Sequence, residues 1–197
     1  VDPHHHVWVL PDAMLDALDK IDDENGRAVA RTYRLHRHYL LDELLADLRS
    51  GHNIRATVFV DAHTMYRAKG PPALRSVGEV EFVNGFGAMA DSGIFGDIRF
   101  VAGIVGSIDL RLGDAVEEVI EAHFRAGGDR YRGVRPPGVC YEDSLDGLKH
   151  VMGQPNVLQD PNFLRGAKRL APHGLSLDLY VMVSQLPEVL EVARALP

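Results

Sequence analysis

Short apolar runs alternate along the chain with stretches in which apolar side chains recur every three or four residues. The runs read as strands and the stretches as amphipathic helices, an alternation that marks βα units around a mostly parallel sheet. The first strand is predicted over Val1 to Val9 and its helix over Leu40 to Leu48, where Leu40, Leu41, Leu44, Leu45 and Leu48 share a face. A second strand, Arg55 to Asp61, leads through the turn Gly70-Pro71-Pro72 to a helix from Ala73 to Ser92. The third unit pairs Ile98 to Val105 with Asp114 to Ala126, and the fourth pairs Tyr131 to Arg135 with Asn162 to Leu170. Leu175 to Val183 and Leu186 to Ala195 make the fifth.

Residues 11–38 form an extra segment after the first strand, where the spacing of Met14, Leu15, Leu18 and Ile21 predicts a short amphipathic helix. It falls where a barrel keeps its active-site loops, as does the long connection from Pro136 to Asp160. Five units do not close a barrel of eight, which takes about 250 residues. The expected fold is therefore α/β of the (β/α)8 TIM-barrel type in one domain, residues 1–197, with only the first five βα units present and an inserted helical segment at 11–38. An open five-stranded α/β sheet is the alternative. Such a portion exposes apolar strand edges and needs its missing half or a partner, a homo-oligomer included.

Composition narrows the chemistry. With 46% hydrophobic and 25% charged residues, the 197-residue chain is in the range of globular proteins. No run approaches the roughly 18 apolar residues of a membrane span, and the first residues lack a secretory layout, so a cytoplasmic protein with no membrane partner is expected. The net charge of −7 is dispersed and no basic stripe forms, which argues against nucleic acid as a partner. Cys140 is the only cysteine, so any metal must be held by histidine and carboxylates.

One motif offers such ligands. Residues two apart on a strand share a face, so Asp2, His4 and His6 point one way and His5 the other. Two imidazoles on one rigid strand converge as ligands for zinc or a similar divalent ion, with Asp2 behind them. A histidine-rich accident or a tag remnant is the bland reading, but the run has only three histidines and leads directly into Val7-Trp8-Val9.

Val1-Asp2-Pro3-His4-His5-His6-Val7-Trp8 is similar to the D-x-H-x-H opening of the amidohydrolase superfamily, in particular its amidohydrolase-2 (amidohydrolase-related) branch. Ala56-Thr57-Val58-Phe59-Val60-Asp61, Phe100 to Gly106, Arg132-Gly133-Val134-Arg135 and Leu175-Ser176-Leu177-Asp178 with Gln185-Leu186-Pro187 resemble that branch's strands two to five and their sequel. The resemblance implies a distorted (β/α)8 barrel in which a divalent ion activates water for attack on a lactone, ester or amide carbonyl. It places the first two ligands at His4 and His6. It also implies that the catalytic base and remaining ligands come from later strands, beyond Pro197. Members with two metals often bridge them by a lysine at the end of strand four, and Tyr131 to Arg135 contains none, so one ion, zinc or manganese, is expected. Some lactonases of the branch work without a tightly bound metal. Others are decarboxylases, and a non-catalytic remnant or binding protein is a further alternative.

Secondary candidates are Arg135, whose guanidinium can grip a substrate carboxylate, and Asp178 and Tyr180, which share a face of the fifth strand with Ser176. Asp61 and His63 close the second strand on one face and are candidates to line the site. A carboxylate-bearing small molecule is the expected substrate. His36, His38, His123, His150 and His173 lie in helix or loop contexts and are expected to be solvated or to cap helices.

Overall fold

A computed structural model of the chain describes residues 1–20, 24–141 and 153–196. Five parallel strands carry the fold in the order β1 (Asp2–His5), β4 (Ala56–Val60), β5 (Arg99–Gly106), β6 (Tyr131–Val134) and β7 (Ser176–Leu177). The sheet curls into an open half-barrel. Each step is a βα crossover through α3 (Leu41–Leu48), α4 (Val77–Asp91), α5 (Val116–Gly127) and α6 (Pro161–Ala167) in turn, and α7 (Leu186–Ala195) follows β7.

The first strand is shorter than its apolar pattern suggests. At His6 the ring nitrogen Nδ1 donates to the Val60 carbonyl at 2.7 Å, and the β1–β4 ladder ends there. Trp8 and Val9 then form β2, which pairs antiparallel with β3 (His38–Tyr39) in a separate ribbon. Residues 11–38 contain two helices, α1 (Asp12–Leu18) and α2 (Glu24–Leu35). Leu15 and Leu18 turn inward, and Leu18 and Ala30 form a small cluster with Met14 and Tyr33, apart from the main core. Ile21 lies outside the described residues, as do residues 142–152 of the long connection after β6.

The fifth strand is also curtailed. Its pairing with β6 covers Ser176 and Leu177, and one more backbone bond runs from Asp178 N–H to the Val134 carbonyl at 2.9 Å. Beyond that the sheet offers no further strand among the described residues, and the chain turns into a short 3-10 segment, Val183–Gln185.

The helices follow from local chemistry. On α5, Val116, Val119, Ile120 and His123 make one buried face, Glu117 and Glu118 lie in the first turn, and Arg125 lies in the last, each charge complementing the helix dipole. Gly128, with φ of 54°, ends it. Asp160 caps α6 through the Asn162 N–H at 2.8 Å, with Pro161 opening the first turn. That helix packs so tightly that a Cβ on Gly166 would lie 2.3 Å from the Leu110 carbonyl oxygen. Phe59, Val80, Phe100, Ile104, Ile120 and Phe163 belong to the continuous core between sheet and helices. Among the described residues no helix is long and apolar enough to cross a membrane.

Candidate metal and substrate site

Strand parity separates the three histidines. His5 turns inward, 7% exposed, and meets the Phe59 ring edge-on with centroids 5.9 Å apart. Burial lowers its pKa to about 4, and its ring nitrogens have no hydrogen-bond partner among the described residues. His4 and His6 sit on the other face, and their Nε2 atoms approach to 3.2 Å.

The Val60 carbonyl fixes the His6 tautomer. Because a carbonyl only accepts, Nδ1 carries the hydrogen, and Nε2 is left with a lone pair aimed at His4. Burial lowers the His6 pKa, against the Val60 bond, with the charges of Arg135 and His4 adding to the effect, so the ring is held in its neutral, ligating form. Two imidazole nitrogens at about 2.0–2.1 Å from one tetrahedral zinc lie about 3.3 Å apart. The observed separation fits that pair. Asp2 acts on the strand tip, where its Oδ1 accepts from the His4 backbone N–H at 3.1 Å. Among the described residues no group of three or more His, Cys, Asp or Glu is placed to hold a metal ion.

A cavity of about 460 Å³ opens beside β1, lined by His4, His5, His6, Trp8, Tyr39 and Asp47 among others. Trp8 is held in place by its indole N–H, which donates to the His36 carbonyl at 2.7 Å, and by the Tyr39 ring 5.5 Å away.

The second cluster grows from the end of β4. Asp61 has no exposed surface, and its carboxylate lies 2.5 Å from His63 Nδ1 and 3.8 Å from the Arg135 guanidinium. The Tyr66 hydroxyl donates to Asp61 Oδ1 at 2.9 Å. Arg135 also donates to the Asp61 carbonyl. Neighbouring carbonyls of one strand thus hold His6 and Arg135, Val60 taking the first and Asp61 the second. His63 and Met65, with φ of 57° and 52°, give the connecting loop a left-handed backbone that side chains rarely adopt.

The structure therefore brings His4, His6, Arg135, Asp61 and His63 to one end of neighbouring strands. Asp178 and Tyr180 follow β7, at the opposite edge of the sheet from β1. Asp178 is half-buried, and Tyr180 is exposed.

Two buried groups escape a reading by composition. His123, expected to be solvated or to cap a helix, is fully buried; its Nδ1 donates to the Val119 carbonyl at 2.8 Å and its Nε2 lies 3.3 Å from the Ser76 hydroxyl. Of the other four, His173 pairs with Glu117 at 2.8 Å, His36 and His38 are exposed, and His150 lies outside the described residues. Glu79, on α4, is buried and bonded to the loop after β4. Its signal was present in the sequence: Glu79, Val83, Phe86 and Ala90 share the buried stripe of that helix, and an acid on such a stripe needs a partner.

Against known proteins, no family model matches the sequence. An amidohydrolase from Burkholderia multivorans, in a crystal structure with bound zinc, superposes with a TM-score of 0.59 at 24% identity, over 98% of this chain and 53% of that one. A second crystal form with bound HEPES gives 0.55 at 25%, with the same coverage. The chain thus shares its fold with about half of an amidohydrolase. An uncharacterized protein of Sinorhizobium fredii is 29% identical over all 197 residues, which span 58% of its length. The chain thus spans little more than half of the proteins it matches.

Proposed function

We propose that this chain is the metal-holding portion of a hydrolase that attacks the lactone, ester or amide carbonyl of a small carboxylate-bearing molecule. The observation that carries the reading is the His4–His6 pair, 3.2 Å apart at Nε2 with one tautomer fixed by Val60. The bound zinc in the related amidohydrolase structure supports a divalent ion, zinc or manganese, at these two nitrogens. When bound, such an ion lowers the pKa of its water from about 15.7 toward about 7 and polarises a carbonyl.

The chain's own residues supply the rest of the reading. Arg135, anchored on Asp61, presents a guanidinium whose fork matches a substrate carboxylate. Trp8, clamped by His36 and Tyr39, walls one side of the cavity. A proton-transferring base belongs to this reading as a residue outside the chain's five strands.

A non-catalytic barrel that keeps only part of the site has one observation in its favour, the lack of a third converging donor among the described residues. Assays of lactones against hydroxybenzoates, with and without added zinc or manganese, divide the readings. Metal-dependent ring opening is the expected result. Carbon dioxide release from hydroxybenzoates would make the protein a decarboxylase, and metal binding with neither reaction would make it a binding protein.

A further inference from the structure

Among the described residues, two fully buried acids lie at a place that the histidine pair does not use. Glu79, in the first turn of α4, and Asp61, at the end of β4, have no exposed surface, and each carboxyl shifts the ionisation of the other. Glu79 Oε1 accepts the backbone N–H groups of Ala62 at 3.1 Å and Thr64 at 2.8 Å. This ties the loop after β4 to the helix. Gly78 permits the approach, since a Cβ there would lie 2.6 Å from the Met65 carbonyl oxygen. Glu79 Oε2 is buried with no hydrogen-bond partner among the described residues.

Two carboxylates in contact and shut off from water repel each other, and each loses its hydration. One proton between them removes the repulsion and leaves one buried charge in place of two. The surrounding donors decide which acid keeps the charge. Asp61 faces His63, Tyr66 and Arg135, whereas Glu79 has two backbone amides and Asp61 itself. Burial, then the bond and charge of Asp61, push the Glu79 carboxyl up to about 10. Burial also works against the charge on Asp61, but the bonds from His63 and Glu79 and the charges of His63 and Arg135 outweigh it and leave that carboxyl well below its usual range. The charged and titratable groups around the pair are His63, Tyr66 and Arg67 of the loop, His123 of α5, Tyr131 of β6, and Arg135.

We propose that Glu79 is a positioning residue: it holds one proton against Asp61, and the carboxylate fixed in this way sets Arg135 and His63 at the rim beside the His4–His6 pair. The role given to Arg135 rests on the proposed hydrolase reading, but the shared proton does not. Glu79 touches no substrate.

The test needs no substrate. Infrared spectra of the full chain with isotope-labelled glutamate side chains should show a protonated carboxyl near neutral pH that disappears in Glu79→Gln. No such band in the wild type overturns the shared proton. Positioning is read from the Arg135 Nε–H signal in NMR spectra, assigned by its loss in Arg135→Lys. Glu79→Gln keeps a donor toward Asp61 and should leave the signal in place, whereas Glu79→Ala, its fold checked by the amide spectrum, should shift or broaden it. An unmoved signal in Glu79→Ala overturns the positioning role. If that variant does not fold, Glu79→Met, of similar length and without a donor, replaces it under the same criterion. Absence of any zinc binding with both signals present would sink the metal-dependent hydrolase reading and leave the role of Glu79 standing.

Discussion

His4 Nε2 stands 3.2 Å from His6 Nε2, while the far nitrogen of His6 donates to the Val60 carbonyl of the neighbouring strand. One bond therefore ends a strand ladder, selects a tautomer and aims a lone pair. This is the arrangement by which a backbone carbonyl commonly orients a metal-bound imidazole.

The first prediction concerns that pair. Calorimetric titration of the full chain with zinc should give one ion per chain, and His4→Ala and His6→Ala should each weaken binding by more than the roughly 10- to 100-fold typical of losing a partner behind a ligand. Equal affinity in wild type and both variants would remove the metal assignment.

Thr57→Val tests an irregular step in the sheet. Between β4 and β5 the register slips, from Ala56 opposite Arg99 to Val58 opposite Gly103, and Val101 takes a φ of 53°. Its buried N–H donates to Thr57 Oγ1 at 2.9 Å. Valine keeps the shape and removes the acceptor, so a loss of about 1–3 kcal/mol is expected from urea unfolding.

Gly166→Ala tests the contact between α6 and the turn at Leu110. The added methyl meets a backbone oxygen at 2.3 Å, which no side-chain rotation relieves. The thermal midpoint should fall, with a destabilisation of about 1–3 kcal/mol; an unchanged midpoint would mean that the helix can slide away.

His123 gives stability a pH dependence. Burial lowers its pKa in the folded chain below the ordinary value, so the folded state releases its proton more readily than the unfolded one. The stability this ring allows is present above about pH 6.5 and is lost as pH falls below that toward the lower folded value. His123→Phe should be less stable near neutrality, by about 1–3 kcal/mol, because Ser76 loses its partner. Its midpoint should also fall less than that of the wild type between about pH 7 and about pH 5; parallel pH profiles would contradict the assignment.

The alternation of apolar runs made the five βα units legible, and the central strands and α7 lie close to where periodicity puts them. Burial on both faces writes such strands as unbroken apolar runs. The two outer strands were over-read for a common reason: an apolar run records burial, whereas a ladder needs a partner. His6 replaces one at β1, and among the described residues β7 has only β6 beside it.

The amino-acid order by itself determined that His4 and His6 share a face, because side chains on a strand alternate whatever the rest of the chain does. Only the tertiary structure decided which nitrogen of His6 is free, since the Val60 carbonyl comes from a residue 54 positions away. It also decided that Glu79 and Asp61, ordinary acids in the sequence, meet without water. Charge is a property of the residue, but the cost of charge depends on what surrounds it, and that is set when helix and sheet close over the pair.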